Sequence, residues 1–225
     1  ALANAEEGSS ERLQVSGAWR LWPEHGGTDD KHSQWEPPTT RFPNTNPDHL
    51  FEIHPVTQFG PHDVRSTLHE IDGYKTKDAH NAFFHYESKR FWIQPLKSSV
   101  RMTFPGVGYN YVSFSIRLLE KPFRQVDGYT AFAEVRDEEG ELLLRKRRMV
   151  FVDGTPPAAA VKDASDGACF QVLGMPRINL ALVSWRVAKS KEPASKQPSS
   201  QYKEVLNWSM PYEMIVVDAD KVDCD

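Results

Sequence analysis

The segment Tyr109-Asn-Tyr-Val-Ser-Phe-Ser-Ile116 decides the fold class. Successive side chains of a β-strand point to opposite faces, and the alternation here is strict. Asn110, Val112, Phe114 and Ile116 fall on one side; Tyr109, Tyr111, Ser113 and Ser115 fall on the other. The apolar side reads as core. The Tyr/Ser side reads either as a contact with a second sheet or as an aromatic platform that stacks a ligand. Tyr109 and Tyr111 are therefore candidate binding residues, joined by Trp22 at the end of the first strand.

Working outward, the same reading places strands at 91–95, 100–104, 109–119, 129–136, 142–152, 168–173, 178–187 and 213–217. Asp137-Glu-Glu-Gly140 is a hairpin turn, and Gly174-Met-Pro-Arg177 reads as another. Upstream, 13–22 forms the first strand, with Leu13, Val15, Gly17, Trp19 and Leu21 on one face. The second strand is 49–59, where Pro55 implies an edge position or a bulge; 63–74 adds a short extended piece. One helix is expected, over 77–86, with Asp78 as N-cap and Ala79, Ala82, Phe83 and Tyr86 on one stripe.

These elements imply a mainly β protein: an OB-like barrel with one short helix over 12–97, then a β-sandwich-like antiparallel meander over 98–225. A single continuous sheet system is the alternative. Residues 1–11 read as a flexible lead. Residues 26–48 form a long polar connection containing Pro37, Pro38, Pro43 and Pro47, and 189–201 is a Ser/Pro/Lys-rich mobile loop.

The chain of 225 residues carries a net charge of −4, with a pI near 6.1 and a mean hydropathy of −0.57. Nucleic acid is a poor partner for that balance, because neutralising phosphates needs clustered Lys and Arg. Arg145-Lys-Arg-Arg148 is the densest basic run. Strand alternation divides it between two faces, where it is expected to pair with the acidic turn Glu138-Glu-Gly-Glu141. No apolar run approaches the roughly 18 residues of a membrane helix. The two cysteines, Cys169 and Cys224, either close a disulfide that pins the acidic tail or stay as thiols. Ala1-Leu-Ala3 has the small-x-small form left by signal processing. With the cysteine pair it points to an exported protein, periplasmic or extracellular; a cytoplasmic one with a plain polar end is the alternative.

All eight histidines fall between His25 and His85. Imidazole is a common metal ligand and titrates near neutrality, so metal or acid–base chemistry belongs to the first third. Glu52 and His54 are two apart on a strand and share a side. Phe51 and Ile53 take the other side, which their apolar character assigns to the core. Glu24 and His25, at the end of the first strand, would complete a cluster of Glu24, His25, Glu52 and His54 if the two strands pair. A divalent metal such as zinc, which takes three or four N and O ligands, is the cofactor such a set would hold. The architectural alternative has Glu52 accepting from Arg20 or Trp19 while His54 bonds the backbone beside Pro55. His62, His69, His80 and His85 read as solvated or singly bonded imidazoles, and His32 lies in the long polar connection.

The pair Val15-Ser-Gly-Ala-Trp19 and Glu52-Ile-His-Pro-Val56 resembles a V-x-G-x-W … E-I-H-P-V motif of small, uncharacterised bacterial β-proteins. The resemblance is local, with the long 26–48 connection inserted between its halves. It implies a β-hairpin and the approach of Glu24, His25, Glu52 and His54, and no particular activity.

Phosphate-cradling Gly loops, Gly-x-Ser-x-Gly elbows, His-Glu-x-x-His helices and Cys-x-x-Cys pairs are absent from the sequence. Two functions are consistent with this. The first is a non-enzymatic β-rich binding or accessory module whose partner is a protein or a small-molecule ligand. The second is a metal-dependent hydrolase built on the His/Glu cluster.

Overall fold

The computed structural model describes residues 13–22, 51–69, 73, 75–95, 100–103, 109–190 and 206–224. The chain is mainly β. Its strands are β1 (Val15–Arg20), β2 (Glu52–Phe59), β3 (His62–Asp63), β4 (Arg90–Pro95), β5 (Val100–Thr103), β6 (Val112–Leu118), β7 (Phe123–Gln125), β8 (Gly128–Arg136), β9 (Leu142–Val152), β10 (Cys169–Ile178), β11 (Leu206–Ser209) and β12 (Tyr212–Val222). The helices are α1 (Ala79–Ser88), α2 (Pro156–Val161) and α3 (Leu180–Ser190).

Three sheets result: β1-β2-β3, β11-β4-β5, and a six-stranded sheet in the order β6-β10-β12-β9-β8-β7. In the large sheet β6 also pairs with β8, so β6, β10, β12, β9 and β8 form a closed cycle of neighbours. That cycle is built from residues after 111, whereas β1, β2, β3, β4 and α1, all before residue 97, lie outside it, β4 pairing with the later strands β5 and β11. The expected all-antiparallel meander is also modified: β12 runs parallel to β9, with Ile215 opposite Val150. A parallel pair requires a crossover, and the route from β9 to β12 passes through α2, β10, α3 and β11.

One contiguous core draws on both halves of the chain. Ala79, Ala82, Phe83 and Tyr86 of α1 lie buried with Val112, Phe114 and Ile116 of β6, Phe151 of β9 and Met214 of β12. The alternation read in 109–116 thus holds from Val112 onward, and α1 buries the stripe expected of it, with the Asp78 side chain accepting from Asn81 N. A second cluster, Leu173, Met175, Ile215 and Val217, covers the other face of β10 and β12, where Ala18 of β1 and Tyr111 pack against it.

Several elements differ from expectation. In place of the strand expected over 178–187, α3 occupies most of those residues. Asn179 Oδ1 accepts from Leu182 N at 2.9 Å, and Val183 and Val187, one turn apart, are buried. Thr155 caps α2 ahead of Pro156 at its first turn, so the protein has three helices rather than one among the described residues. Residues 174–177 continue β10 instead of turning. Gly174 serves close packing there: a Cβ would lie 2.9 Å from the Phe114 ring. Pro176 is tolerated because β6 pairs with β10 only as far as Gly174, which leaves one side of the strand open. The hairpin at Asp137–Gly140 forms as expected, with Gly140 in the left-handed region at φ 82°. Cys169 and Cys224 form a disulfide that holds the chain's end against β10. Within 189–201 the first residues extend α3, and the rest lie outside the described residues.

Candidate functional site

Strands β1 and β2 pair antiparallel, with Arg20 opposite Glu52 and Trp19 opposite Ile53. Between Gly17↔Val56 and Trp19↔Ile53, β2 spends one residue more than β1. This is the bulge that Pro55 announced, and it contains the cis His54–Pro55 bond. A bulge changes which side chains face inward. After it Pro55 and Thr57 are buried; before it Phe51 and Ile53 are 52 % and 44 % exposed. The sequence pattern assigns Phe51 and Ile53 to the core, and the structure reverses that assignment: Glu52 and His54 are the half-buried pair that faces the large sheet.

A polar network follows. Arg20 is fully buried. Its Nε donates to Pro176 O at 2.9 Å, its Nη1 to Glu52 Oε2 at 3.1 Å and its Nη2 to Asn110 Oδ1 at 2.5 Å. Glu52 Oε2 lies 3.8 Å from His54 Nδ1, and His54 Nε2 is hydrogen-bonded to the Tyr111 hydroxyl at 2.5 Å. A carboxylate beside Nδ1 favours the tautomer protonated there; in that assignment Nε2 accepts from the Tyr111 O–H. The chain of contacts Arg20–Glu52–His54–Tyr111 thus runs from a buried cation to a phenol.

Tyr111 also lines a cavity of about 470 Å³ whose other walls are Pro55, Thr67, Leu68, His69, Leu173 and Val217. Leu173 and Val217 belong to the outer face of β10 and β12, and Thr67 and Leu68 to a 3-10 turn after β3. The volume and mostly apolar lining suit a small molecule, and Tyr111 and His69 add hydrogen-bonding groups.

The remaining expected site residues are scattered. Glu24 and His25 lie outside the described residues. Trp22 is in the core, 5 % exposed, edge-on to Tyr86 at 5.3 Å and Tyr212 at 6.2 Å. Tyr109 and Tyr111 do not share a face. Tyr109 adopts φ 73°, outside the strand, and its ring turns towards α1, 5.0 Å from His85, while Tyr111 packs on the second cluster. The basic run has different partners from those expected. Arg147 binds Glu87 and Tyr212 O, Arg148 binds Glu213, and Lys146 Nζ sits 4.1 Å from the centre of the Phe132 ring. Strand alternation places these groups correctly, but the acidic turn is not what they reach.

Sequence reasoning does not find His69, Thr67 and Leu68 as part of the site. His69 carries no spacing signal, because its neighbours in the cavity come from β2, β10 and β12. Comparison with family models, curated proteins and solved structures finds no match to this chain.

Proposed function

We propose that the protein is a non-enzymatic binding module for a small, mostly apolar molecule with one hydrogen-bonding head. The observation that supports this most directly is the cavity of about 470 Å³ with Tyr111 in its wall. Its apolar walls, Leu68, Leu173 and Val217, favour an alkyl or aryl body; Tyr111, anchored by His54, offers its oxygen to a head group. The disulfide is compatible with an exported protein, and among the described residues no helix is long and apolar enough to cross a membrane.

Octanol and octanoate are suitable probes. Calorimetric titration is expected to give saturable binding to the wild type and none to Val217→Trp, which fills the cavity. Tyr111→Phe is expected to weaken octanol by roughly 2- to 10-fold, the worth of one hydrogen bond. Absence of saturable binding for both probes, or unchanged binding in a folded Val217→Trp, refutes the reading.

The second reading, a metal-dependent hydrolase using Glu24, His25, Glu52 and His54, draws support from the 3.8 Å approach of Glu52 to His54. Against it, the same Glu52 oxygen holds the buried Arg20 guanidinium, and a fixed positive charge disfavours a cation beside it. Elemental analysis of wild type, Glu52→Gln and His54→Ala separates the two. Stoichiometric zinc that disappears in both variants favours the hydrolase.

A further inference from the structure

We propose that His80, Asp137 and Glu141 form a site for a divalent transition cation of the zinc type, separate from the Arg20–Glu52–His54–Tyr111 network. One ligand atom from each of the three lies within 4.8 Å of the others. Donors bound to one tetrahedral zinc ion at about 2.0–2.2 Å stand roughly 3.3–3.6 Å apart. At its widest the triad therefore closes by roughly 1.2–1.5 Å, a movement that the exposed His80 and Glu141 side chains can supply by changing rotamer.

The surroundings of each ligand point the same way. Asp137 is 7 % exposed, and among the described residues no Lys or Arg pairs with it. Its Oδ1 accepts from Glu141 N at 2.7 Å, a neutral donor and the one hydrogen bond its side chain makes among the described residues. A buried carboxylate without a counter-charge is costly, and a cation held between Asp137, Glu141 and His80 supplies that charge. The bond from the Glu141 amide is also the kind of outer contact that orients a ligating carboxylate. His80 is exposed, and its ring nitrogens make no hydrogen bond or ion pair among the described residues, so nothing has to be broken for it to ligate.

The backbone that carries the ligands is held in place on both sides before any ion arrives. Asp137 and Glu141 share the β8–β9 hairpin, where Asp137 N donates to Glu141 O at 3.1 Å and Gly140 N to Asp137 O at 3.2 Å. Arg136 Nη1 adds a bond to Gly140 O at 2.9 Å. His80 stands in the first turn of α1, which the Asp78 cap fixes through Asn81 N at 2.7 Å. The donor set of one imidazole nitrogen and two carboxylate oxygens selects the class of ion. It has no sulfur for a soft metal, and its nitrogen is a poor donor for magnesium or calcium, which prefer oxygen alone. Three protein ligands leave a fourth position for solvent.

Zinc titration of chelator-treated protein by calorimetry tests this, using wild type, His80→Ala, Glu141→Gln and His54→Ala. The expected result is one equivalent of zinc that is lost in His80→Ala and Glu141→Gln, or weakened beyond the roughly 10- to 100-fold that loss of an outer-shell partner costs; His54→Ala retains it. Wild type that binds no zinc overturns the proposal, as does His80→Ala that binds with wild-type stoichiometry and affinity. So does an equivalent lost in His54→Ala and kept in His80→Ala. His80 and Glu141 are exposed, so metal-free melting temperatures are expected to match the wild type. Should a variant fail to fold, the His80 ring signals of the wild type in an NMR zinc titration give the same answer. Saturable shifts support the site, and unchanged signals refute it.

Discussion

Replacing Glu213 with Gln removes the negative centre of the most enclosed ion cluster that the structure describes. Glu213 is 2 % exposed and bridges two guanidinium groups: Arg177 Nε to Oε1 at 2.7 Å and Arg148 Nη1 to Oε2 at 3.0 Å. Arg177 is 5 % exposed at its side chain and Arg148 26 %. Arg177 also donates to Trp19 O at 3.1 Å and stacks 4.1 Å from the Trp19 ring centre, so it ties β1 to β10. Breaking one side of a buried ion pair costs about 3–5 kcal/mol, because the remaining charge stays desolvated. Arg148 can rehydrate where it is exposed; Arg177 cannot. The substituted amide also presents its NH2 group to one of the two guanidinium donors. The lower end of the range follows, about 3 kcal/mol, equivalent to roughly 6–12 °C in Tm for a chain of this size. The control is Asp153→Asn, which removes the partner of Arg124 in a pair about half exposed on both sides and is expected to cost less than about 1 kcal/mol. Urea titrations of both variants decide the matter. If Glu213→Gln falls within about 1 kcal/mol of Asp153→Asn, burial is not what gives the cluster its weight and the reasoning fails.

Other consequences are open to the same kinds of measurement. The Cys169–Cys224 bond closes a separation of 55 residues, for which loop entropy gives about 4 kcal/mol; Cys169→Ser should lower the urea midpoint accordingly, and an unchanged midpoint refutes it. The Arg65 guanidinium beside Asp63 holds its carboxyl down from the ordinary 3.8 to about 2. A depressed carboxyl stabilises the fold above its unfolded pKa, so this contribution is present above about pH 4 and lost as the pH falls towards 2. A carboxyl-carbon NMR titration should place the Asp63 midpoint near 2 and return it to the usual range in Arg65→Ala. Gly17→Ala would set a Cβ 2.2 Å from Pro55 O. It should push β1 off the bulge at a cost of about 1–3 kcal/mol and shift the His54 ring signals, whereas an unperturbed His54 would show that β1 does not hold that strand in place.

The elements legible in the sequence are those whose signals are local. Asp78 and the stripe Ala79, Ala82, Phe83 and Tyr86 announce α1; the alternation from Val112 to Ile116 announces β6; Asp137 to Gly140 announces the hairpin. The failures have equally specific causes. The stretch after Ile178 is rich in apolar residues, and a short apolar run does not separate strand from buried helix. The Asn179 cap and the spacing of Val183 and Val187 are the available signs of α3. On β2 the two-residue period is present, but one extra residue between Ile53 and Val56 reverses the face. Tyr109 leaves the side it shares with Tyr111 on paper because its backbone turns out of the strand.

By itself, then, the sequence determined the β character of the chain, the first helix and the closeness of Glu52 to His54, since each depends on bonds and spacings within a few residues. Tertiary structure alone decided that Arg20 reaches Pro176, that Tyr111 meets His54, and that Leu173 and Val217 wall a cavity with Thr67 and His69. It likewise brought His80 to the hairpin at Asp137 and Glu141. Those meetings join segments tens of residues apart, and they follow from how the sheets and α1 pack on one another, a property carried by the whole chain and by no short stretch of it.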